Sequence, residues 1–168
     1  MTGTAEHAAA LDWSQLQLAG NGRTLIEASA GTGKTWTIAA LYLRLVLGHG
    51  EGSLDGISST AFERPLMPPD ILVMTFTRAA TRELSDRIRK RLIEAVQCFR
   101  GEAEPAPHDA FLHALREAYP EGAARERAAW RLAMAAECMD DAAIHTIDAW
   151  CQRMLREQIG RASCRERV

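Results

Sequence analysis

Gly31, Gly33, Lys34 and Thr35 are the residues of this 168-residue chain whose types and spacing best suit a chemical task. They close the run Ala28-Ser29-Ala30-Gly31-Thr32-Gly33-Lys34-Thr35. Glycines lack a Cβ, so backbone N–H groups there can converge on a phosphate chain. A lysine at this place reaches the terminal phosphates of a nucleotide, and the hydroxyl beside it holds Mg2+. The run Ala28 to Thr35 is therefore a candidate nucleotide cradle, with Lys34 and Thr35 as its catalytic pair and Thr35 as the Mg2+ ligand. Ala28 stands where the common pattern has its first glycine, and it is small enough for the end of a strand. Lysine is rare in this chain, two against 18 arginines, and one of the two is Lys34. A compact ammonium suits this position better than a planar guanidinium.

Such a loop must sit between a strand and a helix. After the turn signal Gly20-Asn21-Gly22, residues 24–28 read as a short buried strand. Residues 34–47 suit a helix that is apolar on most sides, stopped by Gly48-His49-Gly50. The Gly-, Ser- and Pro-containing stretch 48–70 reads as a long surface connection, closed by Pro68-Pro69-Asp70. Residues 71–76 form a second apolar, strand-like run. From Thr77 a helix is expected, with Ala80, Leu84, Ile88, Leu92 and Ala95 on one face. The pattern breaks between Gly101 and Pro107, and helices are expected over 109–118 and 122–139. A third short strand fits 142–146, and Ile147, Trp150, Cys151, Met154 and Leu155 then fall at amphipathic helical spacing. This order implies an α/β fold, a parallel sheet carrying a helical insertion.

The second strand would deliver Thr75, Phe76 and Thr77 to its carboxyl end, where α/β proteins place ligands. Hydroxyls and free N–H groups at a helix start can hold a backbone phosphate, and an aromatic ring can lie beside a base. Residues 78–100 carry seven Lys or Arg and three Asp or Glu, with Arg87, Arg89 and Lys90 in the densest part. On charge alone this is a solvated helix face.

Bulk composition sets wider limits. The formal net charge of −2 gives no global attraction to nucleic acid, so any such contact must be local. Hydrophobic residues at 47% and charged residues at 25% make an ordinary globular balance. Four scattered cysteines without a C-x-x-C pair suit single thiols in a reducing compartment rather than a zinc site or a disulfide framework. No signal peptide and no membrane span is legible, so a cytoplasmic location is expected.

The segments 28–35, 73–92 and 142–155, in that order and spacing, resemble the UvrD/Rep-like superfamily-one DNA helicases, and most of all their RecB-type members. The likeness runs from about Leu18 to Glu157. It implies that Ala28 to Thr35 is the first helicase motif, in which alanine at the first position is usual, and that ATP and Mg2+ are the cofactors. It also implies that Thr75, Phe76, Thr77 and Arg78 contact single-stranded DNA, and that Thr146 does so from the next motif. There the family commonly has a histidine where this chain has Asp148, whose carboxylate would repel a phosphate. His145 reads as a core residue.

The fold implied is part of a RecA-like P-loop motor domain over residues 1–95, an inserted helical subdomain over 96–140 and a return to the motor over 141–157. Residues 158–168 fit nothing in the family pattern and are expected to be an anomalous tail. The resemblance further implies an ATP-dependent 3′–5′ DNA helicase and exonuclease subunit acting in double-strand break repair and recombination. Its partners would be single-stranded DNA, duplex ends and RecC- and RecD-like subunits. The acidic Mg2+-holding pair, the arginine finger and the nuclease motifs are expected beyond Val168, because Asp140-Asp141 precedes a strand rather than ending one. The 168 residues alone are accordingly expected to be inactive. Two other readings stand beside this: a non-catalytic remnant that binds nucleotide or DNA, and a small-molecule kinase sharing only the phosphate loop.

Overall fold

The computed structural model describes residues 23, 25–26, 33–48 and 65–165, without the side chains of 158–165. Five α-helices and a two-stranded parallel sheet make up its elements: α1 (Lys34–Leu47), β1 (Val73–Thr75), α2 (Arg78–Arg100), α3 (Ala110–Glu117), α4 (Ala123–Glu137), β2 (Ile144–Thr146) and α5 (Ile147–Arg165). Short 3-10 turns at Pro68–Asp70 and Cys138–Asp141 precede the two strands.

α1 follows its sequence pattern closely. Ala39, Ala40, Tyr42, Leu43, Val46 and Leu47 are buried, which leaves little of its circumference for water. Gly48 ends it in the left-handed conformation, φ 65°, with its N–H turned back to the carbonyls of Arg44 and Leu45. A side chain there would be strained, and its Cβ would sit 3.2 Å from Pro65 Cγ. The Leu47 carbonyl, orphaned at the helix end, accepts from Tyr119 Oη (3.5 Å) and Arg131 Nη1 (3.4 Å). Both side chains belong to later segments and tie the end of α1 to them.

α2 is the central helix, packing on α4 and α1 and touching both strands. Leu84, Ile88, Leu92 and Ala95 form its buried stripe, joined by Val96, Cys98 and Phe99. Ala80, expected on that stripe, is exposed. The first turn of α2 runs past the packed part of the helix, so correct spacing there meets no partner. α3 contributes Phe111, Leu112 and Leu115 to the core. α4 contributes Ala128, Ala129, Leu132 and Ala135, small residues that allow close approach to α2. These helices share one hydrophobic cluster with Leu66, Ile71, Met139 and Ile144.

β1 and β2 pair in parallel with Val73 opposite Ile144, Met74 opposite His145 and Thr75 opposite Thr146. Parallel pairing requires a crossover, and here α2, α3 and α4 supply it. The mixed α/β class and parallel sheet expected from the sequence are observed. Of the strand expected over 24–28, residues 24, 27 and 28 lie outside the described residues. Leu25 and Ile26 are described; neither is in a strand, and they are 79% and 41% exposed. α5 forms where expected, but Ile147, Cys151, Met154 and Leu155 on its apolar face stay exposed. No helix among the described residues is long and apolar enough to cross a membrane.

Candidate nucleotide and nucleic-acid sites

Because β1 and β2 are parallel, both carboxyl ends fall on one edge of the sheet, and each leads directly into a helix. Thr75 and Thr146 are register partners, so segments 71 residues apart in sequence meet there. The turn from β1 to α2 is built by threonine hydroxyls. Thr77 Oγ1 accepts the Ala80 N–H at 3.1 Å, capping α2. Thr75 Oγ1 lies 3.1 Å from the Thr77 carbonyl and 2.6 Å from Thr81 Oγ1, which is itself 3.0 Å from that carbonyl. Two hydroxyl protons thus serve three contacts, leaving lone pairs on the oxygens. On the other strand Thr146 Oγ1 accepts the Ala149 N–H at 3.2 Å, capping α5 in the same way.

Phe76 projects from the turn with 89% of its surface exposed. Burying an aromatic ring is strongly favourable, and this one forgoes that stabilisation. Leu72 and Met74, on the same face of β1, are exposed too. The ring stands just before the amino end of α2, which is positive in partial charge. The first turn of α2 has no acidic residue, whereas α5 has Asp148, exposed and accepting from Gln152 Nε2 at 3.1 Å. Arg78 is exposed at the start of α2. His145 is half-buried and stacks on Trp150, with centroids 5.8 Å apart and planes 17° apart.

Of the expected nucleotide cradle, Gly33, Lys34 and Thr35 are described, while Ala28, Ser29, Ala30, Gly31 and Thr32 lie outside the described residues. Gly33 has φ 83°, a conformation that favours glycine. It precedes a 14-residue helix with no side-chain cap and no acidic residue in its first turn. The first backbone bond closes from Thr37 N–H to the Gly33 carbonyl at 2.9 Å. Lys34 is exposed and Thr35 half-buried. An uncapped helix start bearing an ammonium and a hydroxyl, with no acidic residue in its first turn, fits a phosphate group and its Mg2+.

Thr35, Trp36 and Ala39 border a groove of about 450 Å3, closed on its other side by Arg87, Lys90, Arg91 and Glu94 of α2. The two candidate sites are therefore separate. The strand-end residues Thr75, Phe76, Thr77, Arg78 and Thr146 come together at the start of α2. Thr35 borders the groove against its third to fifth turns, about 15 Å further along at 1.5 Å per residue. Of the basic residues in that stretch, Arg87 pairs with Glu83 at 3.0 Å and Arg89 with Asp140.

Arg91 is unlike its basic neighbours. It is buried, and its guanidinium forks onto Asp109, with Nη2–Oδ1 at 2.8 Å and Nη1 on Oδ2, while Glu94 Oε2 stands 3.4 Å from Nη1. Asp109 also caps α3, accepting the Leu112 N–H at 3.1 Å. Burial alone would push the Asp109 carboxyl up, but the Arg91 and Leu112 hydrogen bonds and the guanidinium charge outweigh it and hold it below its ordinary value. Burial likewise opposes the Arg91 charge, and the Asp109 and Glu94 carboxylates more than restore it. The guanidinium lies 5.3 Å from the Trp36 ring centre and 5.8 Å from that of Phe111. Trp36, Arg91 and Asp109 were not among the expected site residues. The one local hint was Asp109 standing just before a helical pattern, an ordinary capping signal.

Comparison with known proteins places these segments in context. The family model for the UvrD/REP helicase N-terminal domain matches residues 11–168. The chain is similar to the RecBCD enzyme subunit RecB of Escherichia coli K12, 45% identical over 141 residues that cover 83% of this chain and 11% of that protein. It is similar to RecB of Haemophilus influenzae, 43% identical over 135 residues, 80% of this chain and 10% of that protein. RecB of Mycobacterium tuberculosis H37Rv is 36% identical over 133 residues, 79% of this chain and 10% of that protein. The chain spans about a tenth of the length of these curated relatives.

Proposed function

The chain belongs to the UvrD/REP helicase N-terminal domain family, and from that premise we propose that it is the ATP-binding amino-terminal segment of a RecB-type DNA helicase subunit. Residues 28–35 cradle the nucleotide phosphates. Lys34 neutralises the terminal phosphates, and Thr35 holds Mg2+ through its hydroxyl. ATP and Mg2+ supply the phosphoryl chemistry; the residues of this chain bind and orient them. In the complete subunit this drives 3′–5′ movement on DNA, coupled to exonuclease action, during double-strand break repair in the cytoplasm. RecC- and RecD-like subunits complete the assembly. Residues 1–95 and 141–157 serve the motor, and 96–140 form its helical insertion.

The strand-end edge is the single-strand DNA contact. What supports this is the register of the sheet, which sets Thr75 against Thr146, together with the exposure of Phe76 just before α2. The ring offers a stacking face, and Arg78 with the helix N–H groups offers phosphate contacts.

The nucleotide part is tested by equilibrium binding of Mg2+-ATP to the 168-residue chain and to Lys34→Ala. Loss of a charge-assisted contact of about 1.5–3 kcal/mol weakens binding about tenfold or more. Equal binding by the two would refute the assignment of Lys34. ATP turnover is expected to be the same background in both proteins, and DNA-stimulated turnover in the unaltered chain alone would show that the 168 residues hold a complete motor.

A further inference from the structure

The cluster around Arg91 lies one residue beyond the phosphate-binding turn. Trp36 follows Thr35 directly, so its ring and the first turn of α1 move together. That ring meets Phe111 of α3 edge-on, at 6.1 Å between centroids and 79° between planes, and carries the Arg91 guanidinium against it. Arg91 is held by Asp109, the cap of α3. Three helices converge on one buried cation: α1 through Trp36, α2 through Arg91, and α3 through Asp109 and Phe111. The paired carboxylate oxygens orient the plane of the guanidinium, a constraint that an ammonium could not transmit.

We propose that Arg91 is a positioning residue of the nucleotide site. Through Trp36 it sets the orientation of the first turn of α1, so that Lys34, Thr35 and the N–H groups after Gly33 are aligned before the phosphates arrive. This rests on the reading of residues 28–35 as the nucleotide cradle. Neither Arg91 nor Trp36 touches the phosphates; they raise the fraction of chains whose first turn is competent to bind, and affinity scales with that fraction. By reciprocity, nucleotide binding tightens the packing of α3 on α1.

The test uses the 168-residue chain, a fluorescent non-hydrolysable ATP analogue with Mg2+, and anisotropy titration, with urea midpoints measured without nucleotide. Trp36→Ala and Arg91→Lys are expected to raise Kd about fivefold or more, the lower end of ordinary coupling between sites. Trp36→Phe, which keeps an aromatic face for the cation, stays within about twofold of the unaltered chain. Leu132→Ala, a core change on α4, lowers the urea midpoint and leaves Kd unaltered. If Trp36→Ala does not fold, Arg91→Lys carries the test, because it keeps a cation beside Asp109. Unchanged Kd in the Arg91 and Trp36 variants overturns the inference, as does an equal rise in Leu132→Ala. Failure of the unaltered chain to bind, or equal binding by Lys34→Ala, overturns the nucleotide reading and this inference with it.

Discussion

Removing the Asp109 carboxylate would strand a buried charge. In Asp109→Ala the Arg91 guanidinium, with an 8% exposed side chain, keeps only Glu94 at 3.4 Å, whose own side chain is 43% exposed. Breaking a buried pair from one side costs about 3–5 kcal/mol. The same carboxylate caps α3, a contribution of about 1 kcal/mol that overlaps with the first. A loss of about 4 kcal/mol is expected at neutral pH, a large part of the 5–15 kcal/mol typical of a folded domain. Asp109→Asn keeps the volume and one acceptor and should lose about 2 kcal/mol, the worth of a hydrogen bond to a charged group.

The assay is urea unfolding with linear extrapolation, repeated across acid pH. The folded-state pKa of Asp109 lies below its ordinary value of 3.8. Its contribution is therefore fully present above 3.8 and is lost as pH falls through the folded value. The gap between the unaltered chain and Asp109→Asn should narrow over that acid range. The double variant Arg91→Met/Asp109→Leu removes both charges together and should recover most of the loss. A double variant as unstable as Asp109→Ala, or an Asp109→Ala loss under about 1 kcal/mol, would refute the reasoning, since an exposed pair contributes no more than that.

Phe76→Ala should change stability by less than about 0.5 kcal/mol, as at other exposed positions. Its affinity for a short oligo-dT, read by fluorescence anisotropy, should fall by about 1–3 kcal/mol, the worth of one stacked base; unaltered affinity would remove Phe76 from the DNA contact. On α4, Leu132 is fully buried and Trp130 is 65% exposed, so Leu132→Ala should cost about 2–5 kcal/mol in urea unfolding. Trp130→Ala should cost far less despite removing the larger side chain, and the reverse order would contradict the packing of α4 on α2.

Local pattern was enough for most of the elements. α1 has the bounds its apolar run and terminal glycine imply, and the helices expected from Thr77 and over 109–118 are observed at Arg78–Arg100 and Ala110–Glu117. Those signals work because a helix start or stop is settled by a few neighbouring residues. The two strands at 73–75 and 144–146 were legible as apolar runs, but their register, which sets Thr75 against Thr146, comes from the fold. Burial was less legible. Ala80 has the right spacing and no partner, and the apolar face of α5 remains uncovered, because periodicity says which side of a helix can be buried but not whether anything meets it.

The sequence by itself determined the phosphate-loop composition, the helix boundaries and the family, all of which reside in contiguous residues. Only the tertiary structure decided the fate of individual charges. Residues 78–100 read as one basic run, yet Arg87 and Arg89 pair at the surface, Lys90 borders the groove beside Thr35, and Arg91 is buried against Asp109. Asp109 lies 18 residues from Arg91, and no periodic signal links them. Their pairing follows from α3 folding back against α1 and α2, where a buried cation persists only beside a carboxylate.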